Sequence, residues 1–215
     1  MRGHAAGGVA LAPSWCSSDC DTRRVPHAAR SPRRDAAANR ERLLDAATEL
    51  VRTSGERVPM AEVAKAAGVG VGTLYRHFAA REDLLSALVH RSFGLALANA
   101  RAAGAEPGPA LEGVRSFLVA TLRDRDRFVL PLHGGPAVFS AATRELQAEV
   151  RAVLQTLLDR GRAAGELRDD LTPVDLILAA SLLSRPLPNA GDWDLLALRQ
   201  IDLLLQGLGR SPSTV

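Results

Sequence analysis

Apolar residues recur at three- and four-residue spacing along most of the chain from residue 35 onward, the pattern of amphipathic helices. The first such stripe predicts a helix over about 38–54, which Gly55 ends; it consists of Leu43, Ala46, Ala47, Leu50 and Val51. No segment shows the two-residue alternation of a strand over a convincing length. The sequence therefore predicts an all-α fold.

Two short helices are predicted next. The first begins at Pro59 and ends at Gly68, because proline suits a first helical position and glycine a C-terminal turn. A tight link over 69–72 follows, and the second helix begins at Thr73. Two short helices joined by a glycine-rich turn make a helix-turn-helix.

The rest of the chain is also predicted to be helical. A fourth helix begins near Arg81 and stops before the glycine- and proline-containing break at 104–109. A start signal at Thr172, Pro173 and Asp175 opens a helix, since the three residues suit a cap, a first position and a capping carboxylate. The remaining elements are helices over about 110–125, 140–164 and 192–208 and a short broken piece around 127–132.

Length and charge narrow the class of protein. The 215 residues, 47% of them apolar and with a net charge of +3, fit one large or two small soluble domains, and no apolar run is long enough to cross a membrane. Residues 1–34 carry six arginines against two aspartates, which predicts a disordered basic tail. That tail could attract nucleic acid or an anionic membrane, or its arginines could simply be solvated. Residues 211–215 are predicted to be disordered as well.

The sequence contains no residue pattern typical of a catalytic or metal-binding site. The five histidines are dispersed, and the only cysteines, Cys16 and Cys20, have no second pair to complete a zinc site. Neither a nucleophile elbow nor a phosphate-binding loop occurs. We therefore expect a cytoplasmic protein that is not an enzyme and has no cofactor and no metal.

The helix-turn-helix has residues suited to DNA. A helix presented by a short turn fits the major groove, and its N-terminal residues then meet base edges. Gly70 and Gly72 have no side chains where the backbone would approach the duplex, and Thr73 offers a hydroxyl and a methyl group. Tyr75 and His77 present polar tips suited to phosphate oxygens.

These residues carry a family resemblance. The run Val63-Ala64-x-Ala66-Ala67-Gly68-Val69-x-x-Gly72-Thr73-Leu74-Tyr75-x-His77-Phe78-x-x-Arg81-Glu82-x-Leu84 resembles the DNA-binding signature of the TetR family of bacterial regulators. The resemblance implies a three-helix DNA-binding domain over 35–80 and a helical ligand-binding and dimerisation domain over 81–210. It also implies that Val71, Gly72, Thr73 and Arg76 face bases, whereas Tyr75, His77 and Arg81 hold phosphates.

Three positions depart from the family pattern. Gly70 stands where a serine is common, and Arg81 replaces the usual lysine but keeps its charge. The second helix opens with Val58 and Pro59 instead of hydroxyl residues that could contact a phosphate. These departures leave a second hypothesis open, an all-α small-molecule-binding protein whose helix-turn-helix is degenerate.

The last two predicted helices are apolar on almost every side, so each needs cover on two sides. A homodimer through a four-helix contact would supply that cover, and the resemblance implies the same. Burial of both helices within one subunit is the alternative. A two-fold dimer would read a palindromic operator on double-stranded DNA. The candidate interface residues are Leu178, Leu182, Leu195, Leu198, Ile201 and Leu205.

A small-molecule effector that binds between the central helices and moves the fourth helix would change the spacing of the two DNA-reading helices. The protein would then be a repressor released from its operator by that ligand. Irregular backbone is predicted around 131–136, where a pocket could open. The candidate lining residues are the aromatic and adaptable groups of the middle region: Phe93, Leu97, Phe117, Phe128, His133 and Phe139.

Overall fold

The computed structural model describes residues 32–55, 57–130 and 139–209. These residues form α-helices and one short 3₁₀ turn, Arg125–Arg127, and they contain no β-strand, only an isolated bridge between Leu167 and Gly209. The all-α prediction is confirmed. In chain order the helices are α1 (Pro32–Ser54), α2 (Met60–Ala66), α3 (Val71–His77), α4 (Arg81–Ala105), α5 (Ala110–Arg123), α6 (Ala141–Ala163), α7 (Pro173–Leu183) and α8 (Trp193–Leu208).

Local chemistry explains many of the helix ends. Gly55 and Gly68 have φ values of +78° and +66°, so α1 and α2 are followed by the left-handed turn that glycine adopts at little cost. Ser140 and Asp192 accept hydrogen bonds from the third residue of α6 and α8. The hydroxyl and N–H of Thr172 donate to Asp175 at 2.7 and 2.8 Å, and these bonds hold the pKa of that carboxyl below its usual range.

Several element boundaries differ from prediction. Helix α1 begins at Pro32, six residues earlier than expected, so it includes the last residues of the segment assigned to the basic tail. Pro59 precedes α2 instead of starting it. Helix α3 begins at Val71, so half of the expected link over 69–72 is its first turn. In the described part of the short broken piece expected around 127–132, Arg127 ends the 3₁₀ turn and Phe128 has extended backbone; residues 131 and 132 lie outside the described residues.

Helices α1, α2 and α3 form a three-helix unit around its own core. Helix α4 contributes Leu84, Leu85 and Leu88 to that core at its beginning, and Leu97, Ala100 and Ala103 to a second core at its end. The second core is built by α4, α5, α6, α7 and α8. Because α4 is continuous from one core to the other, it is a direct mechanical connection between them.

A polar contact that is exposed at its carboxylate and buried at its hydroxyl fastens α1 to α4. The guanidinium of Arg91 on α4 lies 2.7 Å from the carboxylate of Asp45 and donates to the hydroxyl of Thr48 at 2.6 Å, both on α1. Thr48 is itself buried and donates to the carbonyl of Leu44. Charge-assisted bonds of this kind fix geometry well, so α1 and α4 are held in one orientation.

None of the described helices is long and apolar enough to cross a membrane.

Candidate DNA-facing helix and ligand cavity

Helix α3 is held in the three-helix unit by one face. Leu74 and Phe78 are buried against α1 and α2, as their spacing requires. The guanidinium carbon of Arg40 lies 5.4 Å from the centre of the Phe78 ring, which covers the end of this core with a cation–π contact. The opposite face of α3 is thereby fixed toward the outside.

All seven residues predicted to contact DNA keep accessible surface. Tyr75 is 49% exposed and Val71 43%, which is unusual for side chains of this size. Gly72 and Arg76 are also exposed, and the other three are half-buried: Thr73, His77 and Arg81. Within the described part of the chain, the side chains of Thr73, Tyr75, Arg76 and Arg81 make no hydrogen bond or ion pair, so their polar groups are available to an external partner.

Packing within the subunit does not require glycine at positions 70 and 72, at the start of α3. A Cβ atom added at Gly70 or Gly72 would meet nothing within 4 Å. Gly161 is the opposite case, because a Cβ there would overlap the side chain of Leu167 and lie 2.8 Å from the Ala110 Cβ. Close approach of another molecule to this surface would require small residues, and both glycines meet that requirement.

A cavity of about 370 Å³ lies between α4, α5, α6 and α7. Four of the six residues predicted to line a pocket do so: Phe93, Phe117, Phe128 and Phe139. We call this space the phenylalanine cavity. Of the other two, Leu97 packs in the second core instead, and His133 lies outside the described residues. The fifth phenylalanine of the chain, Phe78, belongs to the three-helix unit.

Sequence reasoning missed the polar residues of this cavity. Gln147 and Arg151 line it from α6, Thr121 from α5 and Ser181 from α7. The available signal was the four-residue spacing of Gln147 and Arg151 together with Val150, which puts a polar pair beside an apolar position on one helix face. Aromatic content alone could not reveal it.

Three residues connect the cavity to the three-helix unit. Phe128 and Leu130 line the phenylalanine cavity, whereas Val129 between them is buried in the core of the three-helix unit. Extended backbone explains the alternation, since successive side chains point to opposite sides. We call residues 128–130 the linking segment. Just before it, Arg52 of α1 lies 3.5 Å from Asp126.

Exposed large apolar side chains of the described residues occur in two places only. Two are Val71 and Tyr75 on α3, and the other seven lie between residues 174 and 203. Of the predicted interface residues, Leu178, Leu182 and Leu195 are exposed, and Leu198 is half-buried. Ile201 and Leu205 are buried in the subunit's own second core. The exposed residues that sequence reasoning missed are Val174, Leu187, Leu196 and Leu203.

No three histidine, cysteine, aspartate or glutamate side chains among the described residues converge on a point that could hold a metal ion. Cys16 and Cys20 lie outside the described residues, like the rest of the predicted basic tail up to residue 31. The predicted tail at 211–215 and the segment 131–138 lie wholly outside them as well.

Comparison with known proteins agrees with this geometry. The profile "Bacterial regulatory proteins, tetR family" matches residues 43–88, and the profile "Transcriptional regulator SbtR-like, C-terminal domain" matches residues 106–210. An HTH-type transcriptional regulator of Staphylococcus aureus strain USA300 is 39% identical over 64 residues, which are 29% of this chain and 35% of that protein. The chain therefore matches about a third of that relative's length.

Solved structures match over most of the chain. The TetR transcription regulatory protein from Mycobacterium vanbaalenii has 28% sequence identity and a TM-score of 0.58, covering 83% of this chain and 99% of that one. A bacterial regulatory protein in the tetR family from Rhodococcus RHA1 has a TM-score of 0.66 at 20% identity, covering 81% of this chain and 98% of that one. The second likeness concerns the fold alone.

The fold and the DNA-facing helix define a transcriptional regulator with a helix-turn-helix DNA-binding domain. The chain belongs to the TetR family of bacterial regulatory proteins, which are regulators and not enzymes. The resemblance drawn from the helix-turn-helix residues is confirmed.

Proposed function

We propose that the protein is a repressor that binds a palindromic operator as a homodimer and leaves it when a small molecule fills the phenylalanine cavity. The observation that carries this proposal is the linking segment, because Phe128 and Leu130 line the cavity while Val129 between them enters the core of the DNA-binding unit. In this proposal residues 35–80 read DNA and residues 81–210 bind the ligand and the second subunit. The protein acts in the cytoplasm, where bacterial DNA lies.

The proposed DNA contacts follow from the position of α3. Val71, Gly72, Thr73 and Arg76 lie on the outward face and early turns of the helix and are assigned to base edges in the major groove. The hydroxyl of Tyr75 and the charged or polar tips of His77 and Arg81 are assigned to phosphates. The open space around Gly70 and Gly72 supports close approach of the duplex.

The proposed dimer uses the exposed apolar residues of α7 and α8. Val174, Leu178 and Leu182 recur every four residues along one side of α7, and Leu195 is 66% exposed on α8. A second copy is the fitting occupant, because a two-fold axis makes one such surface complementary to itself. Two subunits would then present two α3 helices to half-sites about 34–36 Å apart.

Ligand response requires only that the ligand prefer a conformation that binds DNA less well. Phe128 and Leu130 form part of the cavity wall, so an occupant that displaces them also displaces Val129. Helix α4, which lines the cavity with Phe93 and Ala96, carries the same displacement to the three-helix unit. Packed cores change between discrete arrangements, so a small shift in the wall can reposition α3.

The test is a mobility-shift titration of the full chain with DNA flanking its own gene, at two salt concentrations. We expect binding to one palindromic segment that weakens at high salt, because phosphate contacts release counterions. The double variant Tyr75→Ala, Arg81→Ala should lose this binding, whereas Arg144→Ala, at an exposed position on α6, should keep it. A folded protein that selects no sequence from random DNA would instead favour the small-molecule-binding hypothesis with a degenerate helix-turn-helix.

A further inference from the structure

The phenylalanine cavity carries a single charge among the described residues that line it. That charge is the guanidinium of Arg151 on α6, and no aspartate or glutamate in the described wall opposes it. Arg151 stands at an exposed position of α6, so this positive charge lies where the cavity wall meets solvent. A cationic ligand is disfavoured there, and an anionic group is favoured.

Arg151 has no internal partner in the described part of the chain. Many other arginines around the second core are paired: Arg101 with Glu149 at 2.7 Å and Arg125 with Asp194 at 2.5 Å, for example. The residues three and four positions away from Arg151 along α6 include no acid; they are Gln147, Ala148, Leu154 and Gln155. Gln147, one turn before Arg151, also lines the cavity and adds an amide donor on the same helix face.

Ser181 supplies a second and independent sign that the cavity takes a ligand. It lines the cavity from α7 and is only 7% exposed, yet its hydroxyl makes no hydrogen bond within the described residues. The neighbouring buried hydroxyls of Thr121 and Ser184 donate to the carbonyls of Phe117 and Ala180. Buried hydroxyls are normally satisfied, so the Ser181 hydroxyl is available to a bound molecule.

We infer that the effector is an amphipathic carboxylate, with an apolar body enclosed by the phenylalanines and its carboxylate bound by Arg151 and Gln147. This inference names the ligand class of the proposed effector site and rests on that proposed function. Guanidinium and carboxylate form two parallel hydrogen bonds of fixed geometry, which a neutral head group cannot reproduce. The phenylalanine rings, of which Phe93 and Phe139 lie 5.9 Å apart, accept either an aliphatic or an aromatic body.

Calorimetric titration of the full chain without DNA tests this inference with two matched probe pairs: octanoate against octanol, and phenylbutanoate against phenylbutanol. Each pair shares a carbon skeleton and differs in its charged head group, and the two pairs distinguish aliphatic from aromatic bodies. We expect at least one acid to bind about tenfold more tightly than its alcohol, the effect of one charge-assisted hydrogen-bonded pair.

The variant Arg151→Gln should bring acid and alcohol to within about twofold of each other, with the loss of affinity falling mainly on the acid. Arg144→Gln, an exposed arginine on the same helix that does not belong to the cavity wall, should keep the preference for the acid. Equal affinity of the native chain for acid and alcohol, binding of neither acid, or a preference that survives Arg151→Gln overturns the inference.

The titration distinguishes failure of the inferred ligand class from failure of the proposed function. If an acid binds through Arg151 but leaves the mobility shift unchanged, the ligand class stands and the proposed ligand release fails. If neither acid binds although the protein binds its operator, the ligand class fails and DNA binding stands.

Discussion

The backbone N–H of Val129 donates a hydrogen bond of 2.9 Å to the hydroxyl of Ser92, and both groups are buried. The same hydroxyl donates to the carbonyl of Leu88 at 2.9 Å. One side chain of α4 thus holds the linking segment at the point where it enters the three-helix unit. Since Ser92 and Phe93 are adjacent, this fastening and the cavity wall belong to the same turn of α4.

Replacement of Ser92 by alanine should loosen the fastening. The variant leaves the N–H of Val129 buried and unpaired, which costs about 1–3 kcal/mol of unfolding free energy. Urea denaturation of both proteins measures this loss. The control is Ser116→Ala, whose hydroxyl bonds to the exposed carboxylate of Glu106, and it should change stability by less than about 0.5 kcal/mol. Equal stability of Ser92→Ala and the native chain would contradict the assigned role of the hydrogen bond.

Val129→Ala should weaken the response of DNA binding to a ligand in the cavity. The variant removes the side chain that the linking segment inserts into the three-helix unit, so displacement of Phe128 and Leu130 is no longer transmitted through it. We expect mobility shifts measured with whichever probe acid binds to show a smaller ligand effect than in the native chain.

Val119→Ala is the matched control, because Val119 is buried in the second core and does not belong to the cavity wall. Both variants should lose about 1–3 kcal/mol of stability from a truncated buried side chain. Only Val129→Ala should lose ligand response. The same loss in both would show that reduced stability, and not the linking segment, accounts for the effect.

The helices were predictable because their signals are local. Apolar spacing, the capping residues at Thr172 and Asp175, and the glycines at positions 55 and 68 each act within one or two turns. The exact start of α3 was not predictable in the same way, because Val71 and Gly72 follow a turn whose geometry depends on packing against α1 and α2. The linking segment was missed since a three-residue segment outside the helices has no period to read.

The candidate site was predictable in part. Phe93, Phe117, Phe128 and Phe139 were found because large aromatic residues are scarce in this chain, at 4% of residues. The burial of Ile201 and Leu205 was not predictable, because α8 is apolar on almost every side. Packing against α5 and α7 decides which side of the helix faces inward. Arg151 was missed because an arginine on an amphipathic helix looks the same in sequence whether or not a cavity lies beside it.

Gly72→Ala should separate DNA binding from stability. The added methyl group meets open space in the subunit and alanine favours the helix, so unfolding free energy should stay equal or rise by up to about 1 kcal/mol. Against a duplex in the major groove the same methyl group is an overlap, and we expect affinity for DNA to fall about tenfold. Gly94→Ala, at an equally open position in α4, should leave DNA affinity unchanged. Unaltered operator binding by Gly72→Ala would contradict the assignment of this face to DNA.

Gly161→Ala should destabilise the second core. The new methyl group overlaps Leu167 and lies 2.8 Å from the Ala110 Cβ, and overpacking of this kind costs about 1–3 kcal/mol. Gly104→Ala should instead stabilise the protein. Its methyl group would lie at an ordinary 3.5 Å from Val153, and alanine is the better helix former. Thermal unfolding of the two variants compares them directly, and a shift of both in the same direction would contradict this account.

Charges placed on the exposed face of α7 and α8 should prevent association of two subunits. Leu182 and Leu195 are 70% and 66% exposed, so glutamate at both positions leaves the subunit fold intact but would place carboxylates against an apolar partner. We expect sedimentation velocity to show a dimer for the native chain and a monomer for the double variant Leu182→Glu, Leu195→Glu.

The matched control is Ala98→Glu, Ala148→Glu, which adds two carboxylates at exposed positions on α4 and α6 and should remain dimeric. The monomeric variant should also lose binding to the palindromic operator, since a single α3 helix engages one half-site only. A native chain that sediments as a monomer, or a double variant that stays dimeric, would remove α7 and α8 as the interface.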